Sequence, residues 1–272
     1  MDFTGKTIVI TGASSGIGKK LKQFFEKQNT VVSLSRSAEY PDIKCDLSSN
    51  DDIVAAAEEI KRRFSKVDVL INNAGYGLYG ASELLTQDEI DAQFSTNLVG
   101  AVQLTRLLLP VMDKGAKIVN IASACALFPL PFRTMYCASK AGLSMFSHCL
   151  GMELRPYGID VTAICPGDIK TTFTKNRVKN YSTNQRYGSR ITLADEKISS
   201  RENKRMPEDF AVKKIAAIIQ KKRYKPLYIV GAKYKALYFL YRIMPHKWFF
   251  SATGKLFSRP IKPRLKKTAI LF

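Results

Sequence analysis

The sequence has few of the residues that hold metal ions or cross-link small secreted folds. Its 272 residues include two histidines, His148 and His246, which lack the spacing of zinc ligands. Cysteine occurs five times, an odd number, and never as a CxxC pair. This usage is typical of reduced thiols in a cytosolic protein and argues against a disulfide framework. We therefore expect no metal site.

Long apolar runs and targeting features are also lacking. The first residues, MDFTGKTIVITG, enter an apolar strand without a basic region or a cleavage site, so we expect no signal peptide. The longest apolar run near the other end is ALYFLY, whereas a membrane-spanning helix needs about 20 apolar residues. These features predict a cytoplasmic protein.

Acidic residues are scarce in the last hundred residues. Residues 171–272 contain 25 lysines and arginines against 5 acidic residues, whereas residues 1–170 contain 18 of each kind. The whole net charge of +20 therefore lies in the last part of the chain. A neutral body with a basic end favours a local anionic partner, and a solvated lysine-rich surface is the alternative.

The alternation of short strands with helices predicts the fold class. The β-branched runs TIVIT, TVVSLS, VDVLIN, AKIVNIA and IDVTAIC are separated by longer amphipathic segments. One of these segments, from Thr86 to Met112, reads as one long helix or two abutting helices. Repeated strand–helix units imply right-handed crossovers. We expect an α/β protein with a doubly wound parallel sheet in a three-layer αβα arrangement.

The change of composition after Pro166 suggests how the chain is organised. We predict one domain over residues 1–230, in which residues 173–205 are polar, basic and predicted to form a loop or substrate lid. PEDFAVKKIAAIIQ predicts a helix with Pro207 at its start, and PLYIV predicts a last strand. Residues 231–272 form a basic, aromatic and helical C-terminal extension.

A glycine-rich turn, TGASSGIG, follows the first predicted strand and opens a helix. Gly12 permits a sharp turn, Gly16 lets the backbone approach a pyrophosphate, and Gly18 allows close packing of helix and strand. Phosphates then bind at the helix N-terminus. Taken alone, the motif is equally compatible with a plain tight turn.

A second set of motifs identifies a family. Tyr136 and Lys140, in MYCASKAG, share one face of a predicted helix. Ser123 ends the KIVNIAS strand, and Asn97 lies in FSTNLVG. With NNAG and PGDIKT, these motifs run in order from about Lys6 to Thr172. The chain resembles the short-chain dehydrogenase/reductase family, especially its branch of 17β-hydroxysteroid and retinol dehydrogenases and acyl-dihydroxyacetone-phosphate reductases.

The resemblance implies a Rossmann fold and a catalytic set of Asn97, Ser123, Tyr136 and Lys140. Tyr136 would exchange a proton with the substrate, Ser123 would bind the substrate oxygen, and Asn97 would anchor a water that relays protons through Lys140. Hydride passes between a nicotinamide and a carbonyl or carbinol carbon without a metal. A tyrosine pKa near 10 must fall to about 7 for this role. We expect the ammonium of Lys140, about 4 Å away, to supply that change.

Arg36 predicts the form of the cofactor. A carboxylate at the end of the second strand would bind a ribose 2′-hydroxyl, but Arg36 stands there between Ser35 and Ser37, which favours NADP(H). The resemblance implies that the cofactor is bound by Gly12, Ser14, Ser15, Gly16, Ile17, Gly18, Arg36, Asp46, Leu47, Asn73, Ala74, Gly75, Tyr136, Lys140, Pro166, Gly167, Ile169 and Thr171.

The loops beside these residues suggest a lipophilic substrate that is steroid-, retinoid- or acyl-lipid-like. The apolar side chains that could line its pocket, or simply belong to the core, are Tyr76, Leu78, Tyr79, Phe128, Leu130 and Phe132. The reaction would interconvert a ketone and a secondary alcohol. A non-catalytic NADP-binding sensor or scaffold is the alternative, and the complete catalytic set argues against it.

Two surfaces are expected to meet other partners. The resemblance implies a homodimer or homotetramer through the tyrosine helix and the long helix before it, with Leu104, Leu108, Phe146 and Leu150 as candidates.

The second surface is the C-terminal extension. A helix over Ala232–Met244 would carry its bases on one stripe and would need burial on most other sides. Trp248 and three phenylalanines, Phe249, Phe250 and Phe257, follow it. The bases Arg259, Lys262, Arg264, Lys266 and Lys267 come next. This pattern favours an anionic membrane surface, and packing on the protein is the alternative. Nucleic acid is not expected, because no motif that reads bases accompanies the charge.

Overall fold

The computed structural model describes residues 3–171, 173, 176–200 and 205–258, with side chains up to residue 255. Within these ranges, parallel strands alternate with helices. The strands are β1 (Thr7–Thr11), β2 (Thr30–Ser35), β3 (Ile43–Lys44), β4 (Val69–Asn72), β5 (Leu78–Tyr79), β6 (Lys117–Ile121), β7 (Asp160–Pro166), β8 (Ile169–Lys170), β9 (Val178–Lys179), β10 (Met206–Pro207) and β11 (Leu227–Val230). The helices are α1 (Gly16–Phe25), α2 (Asn50–Arg63), α3 (Gln87–Phe94), α4 (Gly100–Leu108), α5 (Thr134–Leu154), α6 (Arg190–Ser199), α7 (Glu208–Ile219), α8 (Ala232–Ile243) and α9 (His246–Ser258).

Seven strands form one parallel sheet in the order β11-β7-β6-β4-β1-β2-β3. Ile8 of β1 pairs with Val31 on one side and with Val69 on the other, so the chain winds outward from β1 in both directions. Successive residues of a strand face opposite sides of a sheet. Accordingly Val9 packs in the core under α2, α4 and α5, while Ile8 and Ile10 pack in the core under α1 and α7. The predicted three-layer α/β fold with a doubly wound sheet is confirmed.

The predicted subunit-contact residues on α4 and α5 lie in the core instead. Leu104 and Leu108 are fully buried, Leu150 is nearly so, and Phe146 packs against the same cluster. The prediction was wrong for Leu104, Leu108 and Leu150, because they form the sheet-facing stripes of two amphipathic helices, whereas Phe146 is only partly buried. The outward face of α5 exposes Met145, Cys149 and Met152.

The lid segment, residues 173–205, contains regular structure where the sequence predicted a loop. Among its described residues, β9 pairs with β5, and α6 spans ten residues. Ile191, Ala194 and Ile198 of α6 pack against Tyr79 and Phe132. The loop prediction was wrong for these residues, because three apolar side chains at helical spacing suffice to dock a helix of otherwise polar composition.

The C-terminal extension packs on the domain through one face. Four residues of α8 and the residue after it pack against a cluster of Ala124, Phe128 and Phe249; they are Tyr234, Leu237, Tyr238, Tyr241 and Met244. Its outer face is open, since Phe239, Ile243 and Trp248 are 65%, 64% and 68% exposed. The expectation that α8 is buried on most sides is therefore wrong for a single chain.

Two further points concern this extension. The basic residues from Arg259 onward, which the sequence assigned to a membrane or protein contact, lie outside the described residues. Across the part of the chain that the structure describes, no helix is both long enough and apolar enough to cross a membrane.

Candidate active site

The turn between β1 and α1 is built around two close backbone approaches. Gly12 has a φ of +68°, and a Cβ there would lie 2.8 Å from the Cα of Ala74. A Cβ at Gly18 would lie 2.3 Å from the carbonyl oxygen of Gly12. Neither position tolerates a side chain, so the first turn of α1 stays tight against the end of β4. The N-terminus of α1 faces the cavity without an acidic residue in its first turn, which fits an anionic ligand such as a pyrophosphate.

Side chains at the ends of β1 and β4 hold this turn in place. The hydroxyl oxygen of Thr11 accepts hydrogen bonds from the backbone N–H groups of Asn73 and Ala74, both at 3.0 Å. In return, the amide nitrogen of Asn73 donates to the carbonyl oxygens of Thr11 and Gly12, at 3.0 and 3.2 Å. These bonds join residues about sixty positions apart and fix the floor of the cavity.

Asn97 lies in a π-helical turn, Ser95–Val99, that joins α3 to α4. Its side chain accepts a hydrogen bond from the Tyr76 N–H at 3.0 Å and donates to the Tyr76 carbonyl at 2.9 Å. The loop after β4 is thereby fixed. A Cβ at Gly75 would lie 2.9 Å from Asn97 Oδ1 and 3.2 Å from Lys140 Nζ. The absence of a side chain at Gly75 thus lets Asn97 and Lys140 approach the same point.

Ser123, Tyr136 and Lys140 meet at the carboxyl end of β6. Ser123 follows this strand, and its hydroxyl oxygen accepts a hydrogen bond from the Cys125 N–H at 3.1 Å. Tyr136 and Lys140 lie one turn apart on α5, and both are buried. Lys140 Nζ donates to the carbonyl oxygen of Ile121 at 2.9 Å.

Burial dominates the electrostatics of this group. It lowers the pKa of Lys140 to about 8. Burial, followed by the nearby Cys125, raises the pKa of Tyr136 above its ordinary value, while hydrogen bonding with Ser123 and the charge of Arg133 oppose the rise. The expected depression of the Tyr136 pKa by Lys140 is therefore wrong for the protein alone. A charged phenolate is costly for a side chain that is this deeply buried.

One cavity of about 820 Å³ gathers the predicted residues. Every predicted cofactor-binding residue lines it except Gly18, which lies beneath the glycine turn. Ser123, Tyr136 and Lys140 line it as well, and Asn97 lies just behind its wall. The carboxyl ends of six parallel strands, β1, β2, β3, β4, β6 and β7, thus converge on one site, as open α/β sheets generally arrange their ligands.

The predicted substrate-lining residues divide into two groups. Tyr76 and Leu78 line the cavity. The other four do not, because they pack elsewhere: Tyr79, Leu130 and Phe132 against α6, and Phe128 against the C-terminal extension. The substrate-lining prediction was wrong for these four residues.

Two arginines of the cavity were not singled out from the sequence. Arg133 is the N-cap residue of α5, three positions before Tyr136, and Arg177 precedes β9 in the lid segment. Arg133 is the one base in the apolar stretch LFPLPFRTMY, and this isolation is the sequence feature that could have pointed to it. Phe173 also lines the cavity, with its ring 5.9 Å from that of Tyr136.

Comparison with known proteins places the chain in a family. A model described as short chain dehydrogenase matches residues 6–182. A probable short-chain type dehydrogenase/reductase of Helicobacter pylori is 31% identical over 258 residues, which are 89% of this chain and 94% of that protein. The 3-ketodihydrosphingosine reductase of Bacteroides thetaiotaomicron is 38% identical over 178 residues, 62% of this chain and 66% of that protein.

A solved structure extends the likeness to the fold. The crystal structure of a short-chain dehydrogenase from Streptomyces avermitilis superposes with a TM-score of 0.77 at 25% identity. The match covers 94% of this chain and 98% of that one. The motifs, the sheet order and these matches agree, and the chain belongs to the short-chain dehydrogenase family, whose members are oxidoreductases that use a nicotinamide cofactor.

Proposed function

We propose that the protein is an NADP(H)-dependent oxidoreductase that interconverts a ketone and a secondary alcohol on a lipophilic substrate. The observation that carries this proposal is the single cavity that Ser123, Tyr136 and Lys140 share with the glycine turn. The bound cofactor supplies or accepts hydride. Residues of the chain then have to bind the substrate oxygen and move one proton.

We infer the role of each residue from its position in this cavity. The Ser123 hydroxyl donates a hydrogen bond to the substrate oxygen, and the Tyr136 hydroxyl donates its proton to that oxygen during ketone reduction. Burial raises the pKa of Tyr136, so its hydroxyl holds a proton at neutral pH but releases it less readily than a free tyrosine does, and the ammonium of Lys140 would have to favour that release. Lys140, with its pKa lowered to about 8, is poised to return a proton to Tyr136. Asn97 fixes the loop at Gly75 that closes the site.

The preference for NADP(H) rests on the rim of the cavity around Arg36. Arg36 is exposed there and makes no ion pair with any described residue. Ser14, Ser15 and Ser37 line the same rim, and the hydroxyl of Ser15 makes no capping hydrogen bond to a described residue of α1. A guanidinium with neighbouring hydroxyl groups matches a 2′-phosphate.

The lipophilic substrate is supported by the side of the cavity near Tyr136. Leu78, Phe173 and Val178 line it there. The name of the Bacteroides relative specifies a keto substrate, which supports ketone reduction. That relative is matched over 66% of its length, so its substrate is a guide to the class only.

Cofactor choice and turnover can be tested together. Wild-type protein should oxidise NADPH in the presence of a panel of lipophilic ketones, and faster than NADH. Arg36→Asp should reverse this preference, because it replaces an attraction for the 2′-phosphate by a repulsion. The measurement is the loss of absorbance at the nicotinamide band. Equal rates with both cofactors before mutation would overturn the interpretation of Arg36, and binding of NADPH without turnover of any ketone would favour a sensor or scaffold.

We also propose a homodimer or homotetramer, formed through the outward face of α5. Met145, Cys149 and Met152 repeat there at helical spacing and are exposed in the single chain. Exposed apolar side chains in a row are typical of a subunit contact.

The assembly has a direct test in light scattering at micromolar concentration. The wild-type protein should have the mass of a dimer or tetramer. Met145→Glu with Met152→Glu should lower the mass, because like charges would meet across a two-fold interface. Tyr157→Glu, at another exposed residue, is the control. A monomeric wild-type protein, or a double variant of unchanged mass, contradicts the proposal.

The outer face of the C-terminal extension is proposed to contact an anionic membrane surface. Its exposed apolar residues are Phe239, Leu240, Ile243, Trp248 and Phe250. Its exposed cations are Lys233, Lys235, Arg242, Lys247 and Lys255, and α8 and α9 contain no acidic residue. Aromatic residues among bases suit the headgroup boundary. Each base near an anionic leaflet contributes about 1 kcal/mol, so five contribute on the order of 5 kcal/mol before screening.

Vesicle co-sedimentation tests this contact. The full chain should sediment with vesicles that contain phosphatidylserine, and added salt should reduce the bound fraction. Ile243→Ser with Trp248→Ser should lower binding at least several-fold, because it removes apolar surface that would enter the headgroup layer. Tyr40→Ser, at an exposed residue far along the sequence, is the control. Equal binding of both variants and the wild type would contradict the membrane contact and leave packing on another protein.

A further inference from the structure

Two arginine side chains are buried beside Tyr136. Arg133 is 6% exposed, and the side chain of Arg177 is also 6% exposed. Both line the catalytic cavity, together with Leu78 and Phe173. Taking a guanidinium out of water is costly unless an anion and hydrogen bonds compensate it. The partners of each arginine therefore decide what the pair is for.

The described residues leave the two guanidinium groups only partly compensated. Arg133 forms no ion pair with them, and its Nη1 lies 3.9 Å from the sulfur of Cys125, which is a weak acceptor. Its Nε has no hydrogen-bond partner among the described residues. Arg177 Nη1 lies 3.7 Å from Asp195 Oδ1, and neither atom has a hydrogen-bond partner in that part of the chain.

The carboxylate of Asp195 is shared between two cations. Asp195 Oδ2 accepts hydrogen bonds from Lys179 Nζ at 2.8 Å and from the hydroxyl of Tyr181 at 2.6 Å. Its charge is thus divided between Lys179 and Arg177. A second carboxylate, Asp168, lines the cavity and attracts Arg133, but it is exposed. Among the described residues, positive charge is therefore in excess at the buried end of the cavity.

The charge of Arg133 contributes to the pKa shifts of two neighbouring groups, although it is not the main cause of either. Burial, and next the charge of Arg133, lower the pKa of Arg177 to about 10. Hydrogen bonding with Cys137 is the main cause that lowers the pKa of the Cys125 thiol, and the charge of Arg133 adds to it. Both guanidinium groups remain charged at neutral pH, since the pKa of Arg177 is about 10 and that of Arg133 is raised above its ordinary value.

The backbone beside each of the two arginines holds it in position. Arg133 follows Phe132, which has a φ of +60°, a conformation that is strained for a bulky residue. The Phe132 carbonyl is fixed by the N–H of Gly80 at 3.0 Å. Arg177 crosses Gly77, where a Cβ would lie 3.3 Å from its Cγ. Strain of this kind persists where it serves a site.

We propose that Arg133 and Arg177 together bind an oxyanion of the substrate, a phosphate or a carboxylate, so that the ketone substrate is an anionic amphiphile. This inference rests on the proposed function. Guanidinium groups donate paired hydrogen bonds to both kinds of oxyanion. Leu78 and Phe173 would contact the apolar part of the substrate, while Ser123 and Tyr136 bind the ketone oxygen.

The test uses three ketones of one chain length: an uncharged alkyl ketone, the ketone with a terminal carboxylate, and the ketone with a terminal phosphate. With NADPH, kcat/KM for one anionic ketone should exceed that for the neutral one at least about tenfold, because charge-assisted hydrogen bonds are gained. The carboxylate and phosphate arms identify the oxyanion. Arg133→Gln and Arg177→Gln should each reduce this ratio toward one. Arg62→Gln, exposed on α2, should keep the wild-type ratio.

A binding measurement separates this proposal from the proposed function. Dodecyl phosphate and dodecanoate, titrated into the NADPH complex, have no ketone to reduce. One of them should bind the wild type and bind each of the two glutamine variants at least about tenfold more weakly. Arginine-dependent binding without turnover of any ketone would support the oxyanion site and contradict the ketone chemistry. Turnover with equal kcat/KM for neutral and anionic ketones, or a ratio unchanged in both glutamine variants, would overturn the oxyanion site.

Discussion

The arrangement of the site depends on the contacts that the buried ammonium of Lys140 makes. Its hydrogen bond to the carbonyl of Ile121 ties α5 to the end of β6, at 2.9 Å. Its approach to Gly75 brings the loop after β4 to the same point, where Asn97 arrives from the π-helical turn. Three separate elements therefore meet around one charge. Because Tyr136 lies one helical turn before Lys140, this convergence also fixes the tyrosine beside Ser123.

The two parts of the chain serve complementary tasks around this point. The neutral body, residues 1–170, supplies six of the seven strands of the central sheet and the glycine turn. From the basic part, the lid segment brings Arg177 and Phe173 to the cavity, and the extension packs against residues beside it. Tyr234 of α8 stacks on Phe128 at 6.4 Å and lies directly over Gly167, where a Cβ would be 2.0 Å from its ring. The proposed substrate, with an anionic head and an apolar body, would contact both Arg177 and Phe173.

The sequence predicted most of the fold and of the cavity, because both rest on local patterns. Parallel strands bring their carboxyl ends together, so motifs far apart in sequence, such as TGASSGIG and PGDIKT, had to meet. The failures concern tertiary packing. An apolar stripe on α4 or α5 does not say whether it faces the sheet or another subunit, which is why Leu104 was misassigned. Tyr79 was misassigned because it packs on α6, a helix that polar composition concealed.

Charged residues show even more clearly that a sequence does not reveal tertiary packing. Arg133 and Arg177 are 44 positions apart, and only the folded chain reveals that both are buried beside Tyr136. The raised pKa of Tyr136 has a similar origin, since burial outweighs the effect that the four-residue spacing to Lys140 suggested. Composition gives the number of charges, whereas their energetic role depends on how much water the fold leaves around them.

The most direct test of the account is the pair of measurements on Tyr136→Phe. The change removes one hydroxyl, so NADPH affinity measured by titration should stay within a few-fold of wild type. Turnover of the best ketone should fall about 10²- to 10⁴-fold, the contribution of a positioned acid. Tyr157→Phe, at an exposed residue beyond the C-terminal end of α5, should change neither quantity. A Tyr136→Phe protein that binds NADPH and turns over at the wild-type rate would contradict the account.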